Sequence, residues 1–132
     1  MTYVNAVFTS IFIMIGIVAC GDDSNGGSEA VQYGVGAQCS KDTDCRTEGT
    51  TCLTQFKGGY CGVAGCESDV DCPEGSACVA HEDGRAYCFL TCVDKVDCNV
   101  SRGLEVESNC SSNVVFVDDT TAKKACVPPS GS

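Results

Sequence analysis

Cys39-Ser40-Lys41-Asp42-Thr43-Asp44-Cys45 recurs as Cys66-Glu67-Ser68-Asp69-Val70-Asp71-Cys72 and again as Cys92-Val93-Asp94-Lys95-Val96-Asp97-Cys98. Each copy sets five residues between two cysteines and an aspartate just before the second. The first two copies continue in step, Glu48-Gly-Thr-Thr-Cys52 against Glu74-Gly-Ser-Ala-Cys78, and close alike on Tyr60-Cys61 and Tyr87-Cys88. The third keeps its four cysteines but stretches the later spacings to Cys110 and Cys126. Internal self-similarity of this kind marks repeated structural units. The expected organisation is three tandem four-cysteine units, at 39–61, 66–88 and 92–126, with 127–132 as a C-terminal tail.

The fold class follows from what the repeat lacks. All four Ile precede Cys20, Trp is absent, and the aromatics beyond Cys39 are Phe56, Tyr60, Tyr87, Phe89 and Phe116. So little apolar surface does not offset the chain entropy of folding unaided. Twelve cysteines between residues 39 and 126 have the density of a covalent scaffold, which persists in an oxidising compartment. The expectation is a small disulfide-rich fold, mostly irregular with short β-hairpins.

Equal cysteine numbers per unit predict closure within each unit. Four cysteines allow three connectivities, which spacing alone does not separate. The crossed order, first to third and second to fourth, would pair Cys39–Cys52, Cys45–Cys61, Cys66–Cys78, Cys72–Cys88, Cys92–Cys110 and Cys98–Cys126. A loop of this size is worth about 3 kcal/mol in the chain-entropy account.

Between the third and fourth cysteines lies a strand–turn–strand pattern. In unit two Asp83-Gly84 is a strong hairpin signal, and Lys57-Gly58-Gly59 plays that part in unit one. In unit three Val114-Val-Phe-Val117 reads as the first strand, Asp118-Asp119 as the turn and Thr120 onward as the return. Asp44, Asp71 and Asp97 read as caps for backbone N–H groups. The sharper reading, Ca²⁺ at Asp42/Asp44 and Asp69/Asp71, wants six to eight oxygens on a shaped loop, which this spacing does not supply.

Upstream, residues 1–19 read as a signal segment whose apolar run, from about Ala6 to Ala19, is short for a ~20-residue membrane span. Ile17-Val18-Ala19-Cys20 resembles the lipobox of bacterial lipoprotein precursors. The resemblance implies cleavage before Cys20, lipid on its sulfur, and a membrane as partner through that lipid. Gly21 after the cysteine, in place of Asp, leans toward the outer membrane or cell surface of a bacterial envelope. The count agrees: thirteen cysteines minus one lipidated residue leaves twelve for six bonds. One feature departs from the pattern, since Met1-Thr2-Tyr3-Val4-Asn5 carries no Lys or Arg. The alternative is ordinary cleavage after Ala19 and release of an inhibitor or toxin-like protein. Residues 20–38 read as the lipidated cysteine and a flexible Gly-, Ser- and acid-rich linker.

The repeat opening followed by Gly and Cys resembles the N-terminal cysteine-rich module of the Dickkopf family, best at 39–61 and 66–88. It is also similar to repeats in cysteine-rich bacterial lipoproteins and, more distantly, to whey-acidic-protein modules, whose adjacent cysteine pair is missing here. The resemblance lies in cysteine spacing. It implies a disulfide framework and carries no pathway or inhibitory role.

Formal net charge is −10, from 8 basic and 18 acidic side chains, which argues against a nucleic-acid partner. No nucleophile elbow, zinc-protease, phosphate-loop or dinucleotide pattern occurs. The single histidine, His81, reads as a surface strand position. Asn99 and Asn109 sit in glycosylation sequons that matter only in a eukaryotic source. The expectation is a non-enzymatic module without cofactor or metal. Either it serves an envelope role, or its turns, at Phe56-Lys57-Gly58, Glu82-Asp83-Gly84 and Asp118-Asp119-Thr120, meet a protein or glycan ligand, because binding residues gather on loops held by a rigid frame.

Overall fold

The computed structural model describes residues 29–131 except 33, 47, 48, 120 and 123. The signal segment and Cys20 lie outside the described residues. Among the described residues, seven short strands and a one-turn helix, α1 (Glu29–Gln32), make up the regular structure, with single 3₁₀ turns between them. The chain is a small disulfide-rich β fold, largely irregular.

Each unit is built the same way. A 3₁₀ turn links its first two cysteines, at Asp42–Asp44, Asp69–Asp71 and Lys95–Cys98. The third and fourth cysteines then lie on an antiparallel strand pair. Unit one supplies β1 (Thr51–Cys52) and β2 (Cys61–Ala64), and unit two β3 (Ser76–Ala80) and β4 (Ala86–Leu90). Unit three supplies β5 (Asn109–Ser111), β6 (Val115–Phe116) and β7 (Ala125–Val127). In all three units the third and fourth cysteines stand directly opposite one another: Cys52 and Cys61, Cys78 and Cys88, Cys110 and Cys126. Neither bonds its opposite. Each reaches a cysteine of the opening instead: Cys39–Cys52, Cys45–Cys61, Cys66–Cys78, Cys72–Cys88, Cys92–Cys110 and Cys98–Cys126. A bond across the pair would fix strands already held by their ladder. The crossed order fastens the opening turn over the hairpin.

Unit two forms its hairpin around Asp83-Gly84, where Gly84 takes φ +82°. Unit one turns at Gly58 and Gly59. A Cβ on Gly59, at φ +67°, would sit 2.1 Å from the Cys39 carbonyl oxygen, so that position admits only glycine. Unit three departs from the expected hairpin. Val115 and Phe116 pair with Ala80 and Val79 of unit two, not with a return strand after Asp119. The partner of β5 is β7. Val114 and Phe116 pack on the common core that β3 borders, and burial there outweighs the local turn.

Strands from all three units therefore share one antiparallel sheet, in the order β1-β2-β4-β3-β6. One core joins them: Leu53, Phe56 and Tyr60 of unit one, Val79, Tyr87, Phe89 and Leu90 of unit two, Cys98, Ala125 and Cys126 of unit three. The units are covalently closed but not independent. The segment expected as a free linker also contributes from Glu29 onward, with Ala30 and Val35 buried in that core. The Ala30 and Gly36 N–H groups donate to the Glu74 and Cys61 carbonyls. The expected tail is docked too: Val127 belongs to β7, Lys57 N–H donates to the Pro129 carbonyl, and Ser130 bridges Phe56. Apolar Ala30, Val35 and Val127 explain both corrections. Each end carries residues that the sparse core recruits.

Candidate functional site

The repeated aspartates are architecture. Asp44 Oδ2 accepts from the N–H groups of Ser40 and Lys41 at 2.8 and 3.1 Å. Asp71 does the same for Glu67 and Ser68, and Asp97 for Val93 and Asp94. Their carboxylates turn back onto the residues before the 3₁₀ turn. The bonds from Ser40 and Lys41 pull the Asp44 pKa below the usual carboxylate value, and those from Asp94 and Val93 do so for Asp97. The earlier aspartate of the motif has a second task. Asp42 Oδ1 accepts from Cys52 N–H at 2.9 Å, and Asp69 Oδ1 from Cys78 N–H at 2.8 Å. It joins the opening turn to the first strand. Unit three has Lys95 at this place, and Asn99 makes the join instead, exchanging two hydrogen bonds with the Ser108 backbone.

In each unit three sulfurs, from the first, second and fourth cysteines, lie within 4.8 Å of one another. All are bound as cystine, and a disulfide sulfur is not the thiolate that zinc requires.

The residues expected at the binding turns separate. Phe56 is a core residue, only 3% exposed, with its ring edge-on to Tyr60, His81, Tyr87 and Phe89 at centroid distances of 5.3–6.3 Å. Its neighbour Lys57 is exposed. Glu82 and Asp83 are exposed at the tip of unit two. Asp83 is anchored there, since Tyr87 Oη donates to its Oδ2 at 2.6 Å, and that bond depresses the Asp83 pKa. Asp118 accepts from Asp69 N–H at 2.7 Å and so ties unit three to unit two, while Asp119 is exposed. Thr120 lies outside the described residues.

His81 is not a surface strand residue. Its side chain is 11% exposed and sits edge-on to Phe56, Tyr87 and Phe89. Beside it opens a hollow of about 420 Å³, bordered by Val114, Val115, Val127 and Pro128. A second hollow, of about 610 Å³, lies between Gly75, Thr91, Cys92 and Lys124.

Sequence reasoning passed over Arg102. Its guanidinium is buried, donates to the carbonyls of Gly36, Gly59, Lys57 and Val106, and lies 5.7 Å from the Tyr60 ring centroid. Desolvation lowers its pKa. Four backbone carbonyls from three parts of the chain are thereby satisfied by one side chain. Only its place between the apolar Val100 and Leu104 could have drawn notice, and those two are exposed.

Among the described residues no helix is long and apolar enough to cross a membrane. No protein-family model matches this chain, and no curated protein or solved structure is significantly similar to it. The geometry stands alone: a disulfide-stapled module whose repeated aspartates cap turns or join the opening turn to a strand.

Proposed function

We propose that this protein is an exported, lipid-anchored, non-catalytic surface module of a bacterial cell envelope. One observation carries the reading. Twelve cysteines are used in pairs inside the fold, and the thirteenth, by subtraction, is Cys20 at the end of the lipobox-like stretch. A cysteine with no partner in an otherwise fully paired exported chain supports a separate chemical fate, and lipid attachment is that fate. The scaffold then stands off a membrane, on the outer-membrane or cell-surface side, and presents a surface to a protein or glycan.

Cys20→Ser tests it. The natural chain is expected in the membrane fraction, carrying an acyl label, with an intact mass lowered by the twelve hydrogens of six disulfides. The variant is expected to lose label and membrane association while keeping its disulfides. A natural chain that is soluble, unacylated and begins at Cys20 would favour the released, inhibitor-like alternative.

A further inference from the structure

The sheet ends on an open edge. Among the described residues no strand lies outside β6; the opposite edge, β1, is equally short, two residues, but has its Cys52 N–H taken by Asp42. Val117 N–H donates to the Cys78 carbonyl, and Phe116 stands opposite Val79. In an antiparallel ladder, bonded and non-bonded pairs alternate, so the N–H and C=O of Phe116 point away from β3, outward. Val115 and Val117 share the solvent face of that strand and are 68% and 43% exposed. The hollow bordered by His81, Val127 and Pro128 opens beside Val114 and Val115.

Charge frames this edge. Asp118 and Asp119 follow it at one end. At the other, Ala80 pairs with Val115, so the acidic turn Glu82-Asp83 lies just past the start of β6. Two of the three expected binding turns thus bracket a single strand edge.

We propose that β6 is a docking edge for an extended segment of a partner protein, apolar in the middle and flanked by Lys or Arg. The segment adds a strand through the outward Phe116 groups. It covers Val115 and Val117, seats a side chain in the hollow, and sets its basic ends against Glu82/Asp83 and Asp118/Asp119. Main-chain pairing gives affinity in such strand addition, and pockets for alternate side chains give specificity. A second copy of this chain is disfavoured as occupant. Antiparallel β6–β6 pairing would bring the Asp118-Asp119 end of one copy to the Glu82-Asp83 end of the other, like charge on like. The proposal rests on the binding-module part of the reading above and is independent of the lipid.

The test uses the full oxidised chain and a fluorescent peptide, Lys-Lys-Val-Thr-Val-Thr-Val-Lys-Lys, with a Glu-flanked version as control. Expected results are saturable, salt-weakened binding of the Lys-flanked peptide alone, with amide shifts centred on Phe116. In the exposed double variant Glu82→Lys/Asp119→Lys, affinity for it falls at least tenfold while thermal stability is unchanged. Equal binding to both chains, shifts centred elsewhere, no binding at all, or self-association through this edge in sedimentation would each overturn the proposal. None of these outcomes bears on acylation at Cys20.

Discussion

Arg102 of the third unit donates from Nη1 to the Gly59 carbonyl of the first at 2.7 Å. The contact crosses between units that no disulfide joins. Arg102→Met should leave all six bonds intact yet destabilise the fold by more than about 2 kcal/mol, because buried carbonyls lose a charged donor. Arg102→Lys should recover only part, since an ammonium does not reproduce the guanidinium fork. Urea unfolding of the oxidised protein measures both.

Phe56 and Lys57 are neighbours with opposite roles. Phe56→Ala is expected to cost about 3–5 kcal/mol through the cavity it leaves among Tyr60, Tyr87 and Phe89. Lys57→Ala should change stability by less than about 0.5 kcal/mol, as its side chain is exposed and its contacts are made by backbone. A Phe56→Ala variant as stable as the natural chain would refute the shared aromatic core.

Asp69→Ala removes the acceptor of Cys78 N–H and should cost about 1 kcal/mol. Faster hydrogen exchange at Cys78, with Cys52 unaffected, would locate the effect in unit two. Asp42→Ala should do the converse.

Acid should weaken the fold. The carboxyls of Asp44, Asp83 and Asp97 have pKa values below their ordinary ones because the native structure donates hydrogen bonds to the ionised form. Groups depressed in this way stabilise above the unfolded carboxylate pKa of about 3.9 and lose that contribution as pH falls through the folded value. Melting temperature should be flat from pH 7 to about 5 and decline below about 4. The triple Asn variant should lack most of that decline.

Tyrosine ionisation should be split. Tyr60 is fully buried, accepts from Leu90 N–H and donates to the Cys126 carbonyl, and desolvation raises its pKa. Burial and the bond to Asp83 raise that of Tyr87 as well. A raised folded value means stability present below about pH 10 and lost as pH climbs through the folded pKa. Ultraviolet titration should show Tyr60 and Tyr87 ionising late. The Tyr60→Phe protein should lose one late step.

What the sequence made legible was local. Repeat spacing located the units, Asp83-Gly84 located a turn, and the aspartate before each second cysteine announced a cap. These signals sit within a few residues of what they control. What stayed hidden was the sharing. Nothing within Val114–Val117 says that its strand partner is Val79-Ala80, some thirty-five residues earlier. Phe56 read as a turn residue because its turn is real, and only the assembled core shows that the turn folds inward. His81 was misread for the same reason: three aromatic rings from two units surround it. Arg102 gave no signal because its partners are backbone carbonyls, which every sequence has.

The crossed, unit-confined bonds also bear on the order in which the protein matures. Each bond spans 12 to 28 residues, and none crosses from one unit to the next. A chain threaded through a membrane N-terminus first can be oxidised unit by unit, each sealed once its fourth cysteine emerges. Cysteines still to come find no open thiols to scramble with. The joint sheet waits longer, because β6 and β7 arrive last and supply its far edge and the floor of the core. Until then the aromatics that the first two units share lack the cover that Phe116, Ala125 and Cys126 bring. That interval, between sealing and assembly, is where a late truncation would leave well-bonded but sticky fragments.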